Sequence, residues 1–211
     1  MIKAILFDLD GTLLDTNELI YKAFCTTFKE VLGIVLPKGE ITNLYGKPLK
    51  DSFANYTEDK QIIENLIKTH RNYNDLHHDD MCQPFNGVLE LLTKLKEKGI
   101  KCGVVTSKRK NVAIHGMTLG RIIEFMDIII SPEDTKKHKP DGEPAMTACE
   151  FLGIEPKEAI MVGDSPYDLM CGKNAGCFTC GVEYTTLNIN ELLKVEPTYM
   201  VKNPLDILKL I

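Results

Sequence analysis

The chain has no apolar run long enough to span a membrane, no excess of positive charge, and no internal repeat or low-complexity tract. The first absence argues against a transmembrane helix. Asp8 and Asp10 interrupt the first apolar run, where a signal peptide would stay apolar. With 25 Lys+Arg against 30 Asp+Glu the net charge is −5, so no general attraction to nucleic acid or an anionic membrane is expected. An anionic ligand must then be met by local positive charge or by metal. A disulfide framework is missing too. The seven cysteines are scattered at 25, 82, 102, 149, 171, 177 and 180, mostly in apolar segments, which fits reduced thiols. A cytoplasmic protein of enzyme size is the expectation, since 211 residues at 44% hydrophobic content suffice for a sizeable core.

What is present begins at Asp8-Leu9-Asp10-Gly11-Thr12-Leu13, directly after the apolar run Ala4-Ile5-Leu6-Phe7. The run reads as a buried strand. Side chains two apart on a strand share a face, so its end presents two neighbouring carboxylates. Such a pair is costly to desolvate and repels itself, and a divalent cation is the natural compensation. Gly11 permits a tight exit from the strand, and Thr12 brings a hydroxyl and an N–H to the same turn. Alone, the segment would also fit an exposed turn or part of a calcium loop.

The order of elements narrows the choice. Leu19, Ile20, Ala23, Phe24, Phe28 and Val31 recur at helical spacing up to Gly33. Ile62, Ile63, Leu66 and Ile67 mark a second helix, with a short one predicted over residues 48–54 between them. No strand signal falls between 15 and 80. From Pro84 the pattern changes to helices alternating with apolar runs at 102–106, 128–130, 159–162 and 177–182. Strands that are apolar throughout indicate a parallel sheet covered on both faces. The reading is an α/β chain: a Rossmann-like, doubly wound parallel-sheet core (1–14 and 84–211) with an inserted all-helical cap (15–83).

Ligands of open parallel sheets collect at the carboxyl ends of the strands. There the sequence places Asp8, then Thr106-Ser107, then a loop with Lys136, Lys137, Lys139 and Pro140, then Gly163-Asp164-Ser165 and Asp168. Each has an ordinary structural reading by itself: a helix cap, a surface carboxylate, a solvated loop. Together they supply a nucleophile, metal ligands and cations for phosphoryl oxygens.

These residues resemble the four motifs of haloacid-dehalogenase-superfamily phosphatases, in order: Asp8-Leu9-Asp10-Gly11-Thr12, Thr106, Lys139-Pro140, and Gly163-Asp164-Ser165-Pro166-Tyr167-Asp168. The resemblance spans essentially the whole chain. It implies Mg²⁺ as cofactor, Asp8 as the nucleophile that becomes an aspartyl-phosphate, and Asp10 as general acid and then base. It implies metal ligation by Asp8, the Asp10 carbonyl and Asp164, and phosphoryl contacts from Thr106 and Lys139. Asp168 and Ser165 would support them from behind, and Gly11, Thr12 and Ser107 are candidate phosphate contacts. An acid at Asp10 favours a phosphatase over the dehalogenase branch.

For the substrate, Asn43-Leu44-Tyr45-Gly46-Lys47-Pro48-Leu49 resembles the specificity loop of phosphoglycolate phosphatases. The stretches at 15–20, 72–79 and 158–165 are more similar to small capped pyrophosphatases. A second phosphate would need extra cations, for which Lys47, Arg71, Lys108 and Arg109 are candidates. Ile20 stands where β-phosphoglucomutases carry a histidine, which argues against a mutase. A catalytically idle binding module is the alternative of another class, and the intact Asp8, Asp10, Lys139 and Asp164 argue against it. The expected partner is a small phosphorylated compound.

Two further segments receive plain readings. Cys177-Phe178-Thr179-Cys180 lies in a predicted strand, where a spacing of three puts the thiols on opposite faces. His77-His78-Asp79-Asp80 reads as a polar hinge, because adjacent residues rarely chelate one ion.

Overall fold

The computed structural model describes residues 1–211. Strand β1 (Ala4–Phe7) leads through a turn into the two-residue β2 (Leu14–Asp15). Four helices follow: α1 (Asn17–Leu32), α2 (Lys38–Thr42), α3 (Leu49–Ala54) and α4 (Lys60–His77). Then β3 (Gln83–Pro84) returns and pairs antiparallel with β2. Beyond it come α5 (Val88–Glu97), β4 (Lys101–Val105), α6 (Lys110–Leu119), β5 (Ile128–Ile130), α7 (Glu143–Leu152) and β6 (Ala159–Gly163). The chain continues through α8 (Pro166–Ala175), β7 (Phe178–Val182), α9 (Ile189–Leu193) and β8 (Tyr199–Val201).

Six strands form one parallel sheet in the order β5-β4-β1-β6-β7-β8. All four side chains of β1 are buried, and they divide by alternation. Ile5 and Phe7 join Val104, Ile160 and Val162 in one core. Ala4 and Leu6 face the other way, onto Val105, Met161 and the α7 residues Ala145, Ala148 and Cys149. Both faces are therefore covered, as strands apolar throughout require. Cys177 packs against the second core and Cys180 lies in the first, so the thiols do point to opposite faces. All seven cysteines are free. No helix is long and apolar enough to cross a membrane.

The four helices between β2 and β3 carry a core of their own. Phe24, Phe28, Ile41, Tyr45, Phe53 and Leu66 bury together, with Phe24 and Phe53 in an edge-on contact at 5.7 Å. Gly33 closes α1 at φ 69°, the left-handed geometry that ends helices on glycine. Asp59 caps α4 by accepting from the N–H groups of Gln61 and Ile62.

The structure adds elements that sequence patterns did not predict. β8, α9 and α2 are three to five residues long, too short to show a period. β2 extends to Asp15, so the expected boundaries at 14/15 and 83/84 both fall inside the β2–β3 ribbon.

Candidate active site

The site forms where β1, β4 and β6 end. The N–H of Asp8 still donates to the Val162 carbonyl at 2.8 Å, so the ladder fixes Asp8 one step beyond β1. Asp8, Asp164 and Asp168 are all buried, and one carboxylate oxygen from each lies within 4.8 Å of the others. Into this group projects Lys139, whose Nζ donates to Asp8 Oδ1 and Asp168 Oδ1, each at 2.7 Å.

One ammonium cannot balance three buried carboxylates. Burial first, then the charge of Asp168, pushes Asp8 up to about 7 despite Lys139. Asp164 is raised well above the ordinary value by burial and by Asp168 and Asp8. Burial opposes the charge on Lys139, but Asp168 and Asp8 outweigh it and raise its pKa. The cluster lacks positive charge, and its donors are all oxygens. That is the donor set of a hard divalent cation, and the cluster can hold one.

Asp168 is already committed. Its Oδ2 accepts from the Ser165 N–H at 3.0 Å and the Ser165 hydroxyl at 2.6 Å, and its Oδ1 holds Lys139. Ser165 and Asp168 form a capping box at the start of α8, which locks the carboxylate behind the lysine. Asp164 Oδ2 accepts from Thr185 at 3.0 Å. Gly11, at φ +81°, closes against the same carboxylate: a Cβ there would lie 2.3 Å from Asp164 Oδ2. The turn thus needs glycine for its backbone and for its neighbour.

The carboxylate of Asp10 takes a different direction from that of Asp8. Its Oδ1 accepts from Thr16 Oγ1 at 2.8 Å and Lys108 Nζ at 2.7 Å, outside the carboxylate cluster. Lys108 is only 10% exposed, and its own N–H donates to Thr106 Oγ1 at 3.1 Å.

A cavity of about 570 Å³ opens over these groups. Its floor includes Asp8, Asp10, Thr106, Ser107, Lys139 and Asp164, and its other walls include Lys47, Arg71 and Lys108. The Tyr45–Pro48 loop comes down onto Asn17 and Ser165 at the edge of the cavity. The Tyr45 hydroxyl donates to the Asn17 carbonyl at 3.1 Å, and a Cβ on Gly46 would lie 2.9 Å from Ser165 Oγ.

Some sequence candidates stand away from the cavity or are held by other partners. Thr12 is fully buried, its N–H donates to the Leu9 carbonyl, and that of Gly11 to the Leu14 carbonyl. Those backbone donors serve the turn, and neither residue lines the cavity. Arg109 lines the cavity but pairs with Asp75 of α4 at 3.0 Å, which joins α4 to the loop after β4. Within the polar hinge predicted at 77–80, Asp79 and Asp80 are exposed, but His78 is 2% exposed and packed against Gly116 of α6.

Thr16, Thr185 and His70 belong to the surroundings of the site and were not read from the sequence. A hydroxyl preceding α1, as at Thr16, was visible as a helix-start signal. Thr185 lies in an irregular segment after β7 and gives no signal. His70 lines the cavity from α4 against Phe24, and burial, then Arg71 and Lys108, lowers its pKa to about 4.

Comparisons with known proteins agree with this geometry. The family model for the haloacid dehalogenase-like hydrolase matches residues 5–182. A Clostridium perfringens protein named "Putative pyrophosphatase PpaX" is 52% identical over 211 residues, 100% of this chain and 98% of the relative. Pyrophosphatase PpaX of Halalkalibacterium halodurans is 36% identical over 210 residues, 100% and 97% of the two chains. Among solved structures, a haloacid dehalogenase-like family hydrolase of Streptococcus pneumoniae superposes with TM-score 0.87 at 28% identity, covering 99% of this chain and 98% of that one.

Proposed function

This chain belongs to the haloacid dehalogenase-like hydrolase family, and we propose that it hydrolyses inorganic pyrophosphate in the cavity above Asp8. The observation that carries the reading is the convergence of Lys47, Arg71, Lys108 and Lys139 on that one cavity. One phosphoryl group at Asp8 occupies Thr106, Ser107 and Lys139. The remaining cations suit a leaving group that is itself a phosphate, and the relatives named as pyrophosphatases support that choice.

The carboxylate oxygen of Asp8 attacks the nearer phosphorus and the bridging P–O bond breaks, leaving an aspartyl-phosphate. Asp10 gives its proton to the departing phosphate. It then takes a proton from water, whose oxygen attacks the same phosphorus and releases phosphate with Asp8 restored. Lys108 and Thr16 hold Asp10 in place for both transfers, while Lys139, fixed by Asp168, holds the phosphoryl oxygens.

Mg²⁺ is the cofactor that fits the oxygen cluster; Asp8 and Asp164 would hold it with the Asp10 carbonyl, and it would offset the charge of nucleophile and substrate. Residues 15–83 act as the cap over a core of 1–14 and 84–211. The Arg109–Asp75 pair links the cap to the core, and Gly46 packs close to Ser165; a closed cap limits the water that reaches the intermediate.

The test is acid quenching of the enzyme during turnover of ³²P-labelled pyrophosphate with Mg²⁺. Label should be recovered covalently on the peptide containing Asp8. Turnover with no label on that peptide, even at the earliest quench times, contradicts the mechanism.

A further inference from the structure

The hinge between α4 and β3 holds a cluster that the phosphatase chemistry does not use. His78 follows α4, and both of its ring nitrogens are buried without a hydrogen-bond partner. Leaving such an atom unpaired is costly. The ring packs close against α6 where position 116 is glycine: a Cβ there would sit 3.1 Å from Cε1 and 3.2 Å from Nε2. Its other nitrogen, Nδ1, faces Asp79 Oδ1 at 3.5 Å. The same oxygen is 2.7 Å from His115 Nε2, which comes from α6. One donor atom from each of the three residues falls within 4.8 Å of the others.

We propose that His78, Asp79 and His115 form a second divalent-metal site, selective for Zn²⁺ or a similar transition metal, at the junction of α4 and α6. It shares no residue with the oxygen cluster at Asp8. Two imidazoles and a carboxylate are the borderline-soft donors that zinc prefers, and three protein ligands leave a fourth position for water. Adjacent residues alone do not chelate well. Here His115 supplies the missing donor from another element, and the buried His78 is already turned toward it. An ion at this point would tie the end of the helical insertion to the sheet domain beside the β2–β3 ribbon.

The experiment counts zinc bound by Mg²⁺-saturated protein after dialysis, in wild type, His115→Ala and Asp79→Ala. Both positions are exposed, at 51% and 62% of the side chain, so the variants should fold, which circular dichroism verifies. Wild type should hold about one equivalent more zinc than each variant. Cobalt-loaded wild type should also show the visible absorption of low-coordinate, nitrogen-ligated Co²⁺ that both variants lack. Unchanged zinc content in either folded variant overturns the site, whatever the cobalt spectrum shows.

Discussion

Lys108 Nζ and Asp10 Oδ1 stand 2.7 Å apart across the mouth of the site, joining the proposed proton donor to a cation that also lines the substrate cavity. Removing the cation should both loosen Asp10 and weaken the grip on a leaving phosphate. Lys108→Met is expected to lower kcat/KM for pyrophosphate by about 10- to 100-fold. The loss for a phosphomonoester with an uncharged leaving group should be smaller. Equal losses for both substrates would remove Lys108 from the recognition of the second phosphate.

Asp8→Asn should abolish turnover by about 10³-fold or more without unfolding the protein. The substitution deletes one carboxylate from a buried, charge-deficient cluster, and Lys139 keeps its contact with Asp168. The metal-free Tm should therefore not fall, while the rise in Tm produced by Mg²⁺ should shrink. Thermal unfolding with and without Mg²⁺ checks both statements, and retained turnover would exclude Asp8 as nucleophile.

Gly11→Ala is expected to cost about 1–3 kcal/mol of stability. The alanine must adopt φ +81° and would also press on Asp164 Oδ2. Urea unfolding measures the first effect. The second should appear as a weaker Mg²⁺ requirement curve in activity assays, because a displaced Asp164 binds metal less well. A variant as stable as wild type would contradict the strain at this turn.

Asp8 is pushed from an ordinary 3.8 up to about 7, which sets a pH dependence of known sign. Between those values the metal-free native state keeps a proton that the unfolded chain has released, so stability falls as pH rises through the window. A cation takes the place of that proton. The Mg²⁺-induced rise in Tm should thus be larger at about pH 8 than at about pH 5.5. A shift independent of pH would mean that the ion does not engage Asp8.

The parts of the site legible in sequence are those attached to regular elements. Asp8, Thr106 and Asp164 each follow an apolar strand, and a parallel sheet brings such ends together without further information. Direction was harder to read than position. Sequence spacing places Asp8 and Asp10 side by side, yet the turn at Gly11 points the Asp10 carboxylate to Thr16 and Lys108. Gly11 and Thr12 stand as candidate phosphate contacts in the sequence, whereas in the fold their N–H groups donate within the turn. Thr185 and His115 act through contacts 21 and 36 residues away, and no periodicity encodes contacts of that range. β8 escaped because it is as short as β5 but lacks its unbroken run of isoleucines, and it pairs with β7 alone at the sheet edge.

The most direct measurement is kcat/KM for Mg²⁺-dependent phosphate release from pyrophosphate, phosphoglycolate and a set of sugar phosphates. Lys47, Arg71 and Lys108 on the cavity wall predict a preference for pyrophosphate of about a hundredfold or more, equivalent to about 2.7 kcal/mol in the transition state. A preference of that size for phosphoglycolate or a sugar phosphate, or the same low rate on all of them, would contradict the assignment.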